Sequence, residues 1–106
     1  MKKFLLLLFP LLLISAGCNK ASKAKWYFYD ETKCADRWTK TNNNEALKEN
    51  VTSYLASQNI TIYEMEIFIH QAADECSECS CKSGRRYKVK VKKSDQSKIK
   101  EEGFYQ

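Results

Sequence analysis

Five cysteines, at positions 18, 34, 76, 79 and 81, constrain this chain more than any other feature. At 106 residues the chain has room for one domain. So small a domain buries little apolar surface and commonly needs covalent or metal staples. What the sulfurs do therefore decides how it folds. Three of them crowd into the run Cys76-x-x-Cys79-x-Cys81. In an exported protein an odd count leaves one cysteine without a partner. The size excludes enzymes with separate cofactor and substrate domains. Beyond residue 17 the glycines are only Gly84 and Gly103, which excludes a glycine-rich phosphate loop.

The N-terminus reads as an address. Lys2 and Lys3 precede an apolar run from Phe4 to Ile14, interrupted by Pro10 and followed by the small residues Ser15, Ala16 and Gly17. A basic start, an apolar middle and a small-residue end make a secretory signal. The run is too short to span ~30 Å of hydrocarbon, which takes about 20 apolar residues. The segment Ile14-Ser15-Ala16-Gly17-Cys18 resembles the lipobox of bacterial prolipoproteins, with Ser15 where leucine is commonest. The resemblance covers residues 1–18 only. It implies that diacylglycerol is attached to the Cys18 sulfur, that the leader is cut between Gly17 and Cys18, and that the new amino group is acylated, with palmitate-type chains anchoring the protein. Asn19, rather than Asp, follows the cysteine. By analogy with enteric lipoprotein sorting, that implies the outer membrane.

Residues 18–25 then form a lipidated cysteine and a polar, lysine-rich tether, NKASKAK after Cys18. Loss of residues 1–17 takes Lys2 and Lys3 with it and lowers the formal net charge from +5 to +3. That charge is too mild to point to nucleic acid.

Residues 26–106 read as a small α+β domain. Lys25–Glu31 is a strand dense in aromatics, with Trp26 and Phe28 on one face and Tyr27 and Tyr29 on the other. In residues 45–58, Leu47, Val51, Tyr54 and Leu55 form one helical stripe. Asn42 is the expected cap, and Asn59 the expected left-handed stop. Ile60–His70 alternates as a strand, placing Tyr63, Met65, Ile67 and Ile69 on one face and Glu64, Glu66 and Phe68 on the other. Residues 85–93 alternate as cleanly, with Tyr87, Val89 and Val91 facing inward and Arg86, Lys88, Lys90 and Lys92 outward. An antiparallel pairing of these two strands opposes glutamates to lysines across a solvated face. Ser94 is placed to cap a last helix, with Gly103 at its stop and Phe104 folding back. The order β-α-β-β-α matches a ferredoxin-like split β-α-β lacking its last strand.

That topology brings the sulfurs together. The first two strands of a right-handed β-α-β unit run the same way. Cys34, after the first strand, and residues 71–84, after the second, then share one edge of the sheet with His70. With Cys18 acylated, Cys34, Cys76, Cys79 and Cys81 form an even set suited to two disulfides outside the inner membrane. Cys34 is expected to bridge to the cluster, and a Cys79–Cys81 bond has the least comfortable geometry. The competing readings are a Zn or Cu site built from Cys34, His70, Cys76, Cys79 and Cys81, and thiol–disulfide exchange through Cys76-Ser77-Glu78-Cys79. Asp74, Glu75 and Glu78 disfavour the thiolate that exchange requires. No serine has a nucleophile-elbow context, and no catalytic residue is expected. Trp26, Tyr27, Phe28, Tyr29 and Trp38 together suggest a sugar-stacking platform. The expected function is that of an envelope binding or interaction module with no resident cofactor.

Overall fold

The computed structural model describes residues 24–106. The expected leader, the expected Gly17–Cys18 cleavage and Cys18 acylation sites, and most of the expected tether lie outside the described residues. The element order is β1 (Lys25–Thr32), α1 (Asn44–Ser57), β2 (Ile62–Ile69), β3 (Lys82–Val91), a 3-10 turn (Lys93–Asp95) and α2 (Gln96–Glu101). No helix among the described residues is long and apolar enough to cross a membrane.

α1 begins where a side chain satisfies its first free N–H groups. Asn43 Oδ1 accepts from the amides of Glu45 at 2.9 Å and Ala46 at 3.1 Å. The cap is thus Asn43 and not Asn42, because only the residue just before the first turn reaches both amides. At the other end Asn59 takes a left-handed φ of 63°. The Ile60 amide then donates to the Leu55 carbonyl, and the Asn59 amide to that of Ala56, which closes the last turn. Ile60 is drawn into the core by this closure, so β2 starts two residues later than the apolar alternation alone suggests. Leu47, Val51 and Leu55 are fully buried.

The sheet order is β1-β3-β2, with both outer strands antiparallel to β3. β1 and β2 are therefore parallel to each other and separated by the central strand, which is the split β-α-β arrangement. After α2, Gly103 adopts a φ of 93°, Phe104 turns back to donate its amide to the Ile99 carbonyl, and its ring enters the core. Tyr105 then exchanges two backbone hydrogen bonds with Phe28 on the outer edge of β1. The fourth position of the ferredoxin-like sheet is occupied by this single residue.

Both helices lie on one face of the sheet. Tyr27, Tyr87, Val89, Val91, Ile99 and Phe104 meet the α1 stripe there, with Tyr29, Ile62, Met65 and Ile67 at the margin. Trp38, from the loop after β1, joins them and stacks edge-on against Tyr29 at 4.9 Å. Tyr63 does not face the core as the simple alternation suggests. The register slips between Ile62 and Glu64, so Ile62 takes the inward position and Tyr63 is extruded to 52% exposure. Ser94 lies within the 3-10 turn and caps nothing, since α2 begins without a side-chain cap. Glu64 and Glu66, beside the extruded Tyr63, also blunt the outer edge of β2 against pairing with another copy.

Phe104→Ala should cost ~3–5 kcal/mol in urea unfolding of the non-reduced protein. Phe68→Ala, on the uncovered face, should cost less than ~1 kcal/mol. Equal losses would show that the C-terminal turn does not belong to the core.

Candidate functional site

Because β1 and β2 are parallel, their ends meet at one pole, where β3 begins. The two loops leaving them, residues 33–43 and 70–81, are stitched together there. The Lys33 amide donates to the Cys81 carbonyl at 2.8 Å and the Cys34 amide to that of Cys79 at 3.1 Å. Lys33 Nζ reaches the carbonyls of Asp74, at 2.6 Å, and Cys76. Asp74 accepts the Lys82 amide at 2.8 Å and donates its own amide back to Lys82. Cys34 is disulfide-bonded to Cys79, with Cα atoms 4.5 Å apart, and Cys76 to Cys81, at 6.2 Å. The pairing joins the loops across 45 positions of sequence and divides the Cys76–Cys79 motif between two bridges. Cys34, Cys76 and Cys79 are exposed and Cys81 is buried.

Gly84 fits the second loop against β3. With φ at 96°, its Cα lies so close to the loop that a Cβ would stand 2.3 Å from the Gln71 carbonyl oxygen. The Gly84 carbonyl accepts the His70 amide at 2.8 Å. His70 borders a small depression with Asp30, Lys82 and Arg85. Among the described residues, no group of three or more His, Cys, Asp or Glu side chains is arranged to hold a metal ion.

Beneath this pole lies a buried carboxylate that the sequence reading passed over. Glu31 is 1% exposed. It accepts from Arg85 Nε at 2.9 Å and Nη2 at 2.7 Å, from Ser83 Oγ at 2.7 Å, and from the Tyr87 hydroxyl. Arg85 also donates to the Thr41 carbonyl at 3.0 Å. Lys40 caps the end of β1 by donating to the carbonyls of Thr32 and Lys33. Burial raises the Glu31 pKa, but hydrogen bonds from Arg85, Ser83 and Tyr87 outweigh that and hold it below the ordinary carboxylate range. Burial and the bond to Glu31 push the Tyr87 hydroxyl well above its usual value. The signal was present in the alternation: Glu31 falls in phase with Tyr27 and Tyr29, and Arg85 in phase with Tyr87. Two opposite charges at inward positions of neighbouring strands are a pair.

The other face of the sheet is not covered by either helix. Across it run Trp26, Phe28 and Asp30 on β1, Lys90, Lys88 and Arg86 on β3, and Glu64, Glu66 and Phe68 on β2, in register. Lys88 Nζ lies 4.5 Å from the centre of the Trp26 ring, and Lys90 Nζ 5.7 Å. Lys90 also pairs with Glu64 at 3.4 Å. Arg86 lies 5.9 Å from both the Phe28 and Tyr105 rings, and Asp30 holds its Nε at 2.6 Å. Glutamates do oppose lysines here, as the alternation requires. The five-aromatic sugar platform does not form. Tyr27 and Trp38 are buried and Tyr29 packs against the core, because the inward strand positions and the loop are needed to fill the space under α1.

No protein-family model, no curated protein and no solved structure matches this chain.

Two outcomes test the clamp. Tyr87→Phe should cost ~1–3 kcal/mol by removing a donor to a buried charge, whereas Tyr27→Phe, whose buried hydroxyl has no partner among the described residues, should be neutral or stabilising. A carboxylate with a lowered folded-state pKa stabilises fully above its ordinary value near 4.5 and loses that contribution as the pH falls through the folded value. Thermal unfolding of the parent should therefore destabilise below about pH 4.5, with a shallower acid limb in Glu31→Gln. Some slope should persist, since Asp30 is lowered as well: its bonds from Arg86 and Tyr105 outweigh its burial.

Proposed function

We propose that this chain is a bacterial envelope lipoprotein, exported, cut before Cys18 and acylated there, which holds a small disulfide-stapled binding module at the membrane. One observation carries the reading. The four cysteines of the domain pair among themselves, which leaves Cys18 as the odd sulfur, and Cys18 is the residue that completes the lipobox. Exposed bridges such as Cys34–Cys79 persist in oxidising compartments and are rare in the cytosol. Two or three acyl chains hold a protein stably at a bilayer where a single chain does not. Asn19 favours the outer membrane.

The charged groups of the pole serve binding and positioning rather than turnover. Glu31 is surrounded by its donors, and Asp36 is taken by the Tyr29 hydroxyl at 2.6 Å and by Thr32. Zn or Cu capture by Cys34, His70, Cys76, Cys79 and Cys81 needs both bridges reduced. Exchange through Cys76 and Cys79 needs a pairing other than the one found. The module's ligand is an envelope protein or surface, and nucleic acid is not among the partners proposed.

Intact-mass analysis of protein extracted from membranes of its native host tests this. The expected species begins at Cys18, carries diacylglycerol, and shows no alkylatable thiol before reduction. Cys18→Ser should shift the protein out of the acylated membrane fraction. An uncleaved or unmodified leader would overturn the anchor, and four free thiols with stoichiometric Zn or Cu would replace the staples with a metal site.

A further inference from the structure

Lysines crowd the end of β3, whereas at its start acids and the cations Lys33, Lys40, Lys82 and Arg85 are mixed. Residues 70–81, at its start, contain Asp74, Glu75 and Glu78 and no lysine or arginine. Residues 88–93, at its end, contain Lys88, Lys90, Lys92 and Lys93 and no acid. Ten strand residues separate the two ends by about 30 Å. β1 starts at the basic end, because Lys25 pairs with Val91 and Trp26 with Lys90. The tether therefore enters the domain at its basic end, and the disulfide pole lies at the far end.

The uncovered face at that end combines two chemistries suited to a bilayer surface. Trp26 is a half-buried indole with Lys88 and Lys90 beside its ring. Tryptophan, like tyrosine, favours the level of lipid head groups. Lys25, Lys92 and Lys93 are exposed at the same end of the sheet. The acids nearby are Glu64, paired with Lys90, and Glu66, in register with Lys88. Asp95 is buried and accepts the Thr61 amide. Seven residues separate Cys18 from Trp26, a reach of at most about 29 Å over eight residue steps. Lys20 and Lys23 lie within that stretch of sequence.

From this juxtaposition we infer that the corner of the sheet formed by Trp26, Lys88 and Lys90 docks on an anionic membrane surface, setting the domain end-on with its disulfide pole directed away from the bilayer. The inference rests on acylation at Cys18, which makes this end membrane-proximal. Anionic head groups attract the five lysines of the corner, whereas at the other end Lys33, Lys40, Lys82 and Arg85 offset the acids, so the basic end sets the orientation. The cysteine loops are thereby presented to whatever the module binds.

The test uses the mature acylated protein in vesicles of phosphatidylcholine, with or without phosphatidylglycerol. Co-sedimentation with the neutral vesicles reports the anchor alone. The docking is read separately, from tryptophan emission and its quenching by lipids brominated near the head group. Trp38 is buried and supplies a constant background that also reports folding. Adding phosphatidylglycerol should shift the emission to the blue and at least double the quenching, and raised salt should reverse both. Trp26→Tyr should abolish the shift, and the Lys88→Ala/Lys90→Ala double variant should weaken the dependence on anionic lipid about tenfold. Identical emission with both lipid mixtures would overturn the docking while leaving the anchor in place. So would an equal shift with soluble polyphosphate. Failure to sediment with neutral vesicles would instead remove the anchor, and a blue shift on anionic vesicles would then still read the surface by itself.

Discussion

The pole of this domain is organised by the Glu31 carboxylate. A carboxylate withdrawn from water costs several kcal/mol unless donors replace its hydration. Here β3 supplies them from Ser83, Arg85 and Tyr87. To bring Ser83 and Arg85 to one acceptor, β3 departs from regular register between the Arg86–Asp30 and Lys82–Thr32 pairs, and Gly84 supplies the conformation. Arg85 then extends past Glu31 to the Thr41 carbonyl, tying the loop after β1 to the sheet. The loop's ends are thereby fixed, Trp38 is held in the core, and Cys34 comes within bonding distance of the loop after β2. The clamp and the disulfides are parts of one construction.

The staples matter because the core is small. It has one layer of helix and one face of a three-stranded sheet, with a single residue in place of the fourth strand. In the chain-entropy account, a bridge closing 45 positions contributes about 4 kcal/mol and one closing five contributes about 2 kcal/mol. Typical domain stability is 5–15 kcal/mol, so these terms are comparable with the whole. The aromatic cluster of Tyr29, Trp38, Tyr54, Tyr87 and Phe104 fills the space beside the pole, with neighbouring rings at 4.9–6.3 Å.

Much of this fold is legible in the sequence, because period-two and helical patterns act over short distances. Tyr87, Val89 and Val91 face inward and the lysines outward, as their alternation requires. Leu47, Val51 and Leu55 form the buried stripe, and Asn59 and Gly103 end their helices in left-handed turns. The convergence of Cys34 with the Cys76–Cys81 loop follows from strand direction alone. What the sequence does not yield depends on competition between neighbours. Asn43 outcompetes Asn42 for the cap by one residue of geometry. The slip at Tyr63 satisfies the register of β2 after Ile60 has been pulled under α1. Tyr105 gains its strand-like bridge only because Phe104 is anchored first. Glu31 and Arg85 look like surface charges until their phase with the core is taken seriously.

The closed pole and the odd status of Cys18 both follow from the sulfur pairing. Mapping the bridges in non-reduced protein, with cleavage after Glu78 to separate Cys76 from the other two loop cysteines and fragmentation of the linked peptides, reads it directly. Cys34 should be found joined to Cys79, and Cys76 to Cys81. A Cys76–Cys79 bond, or a free thiol at Cys34, would contradict the pole described and the reasoning built on it.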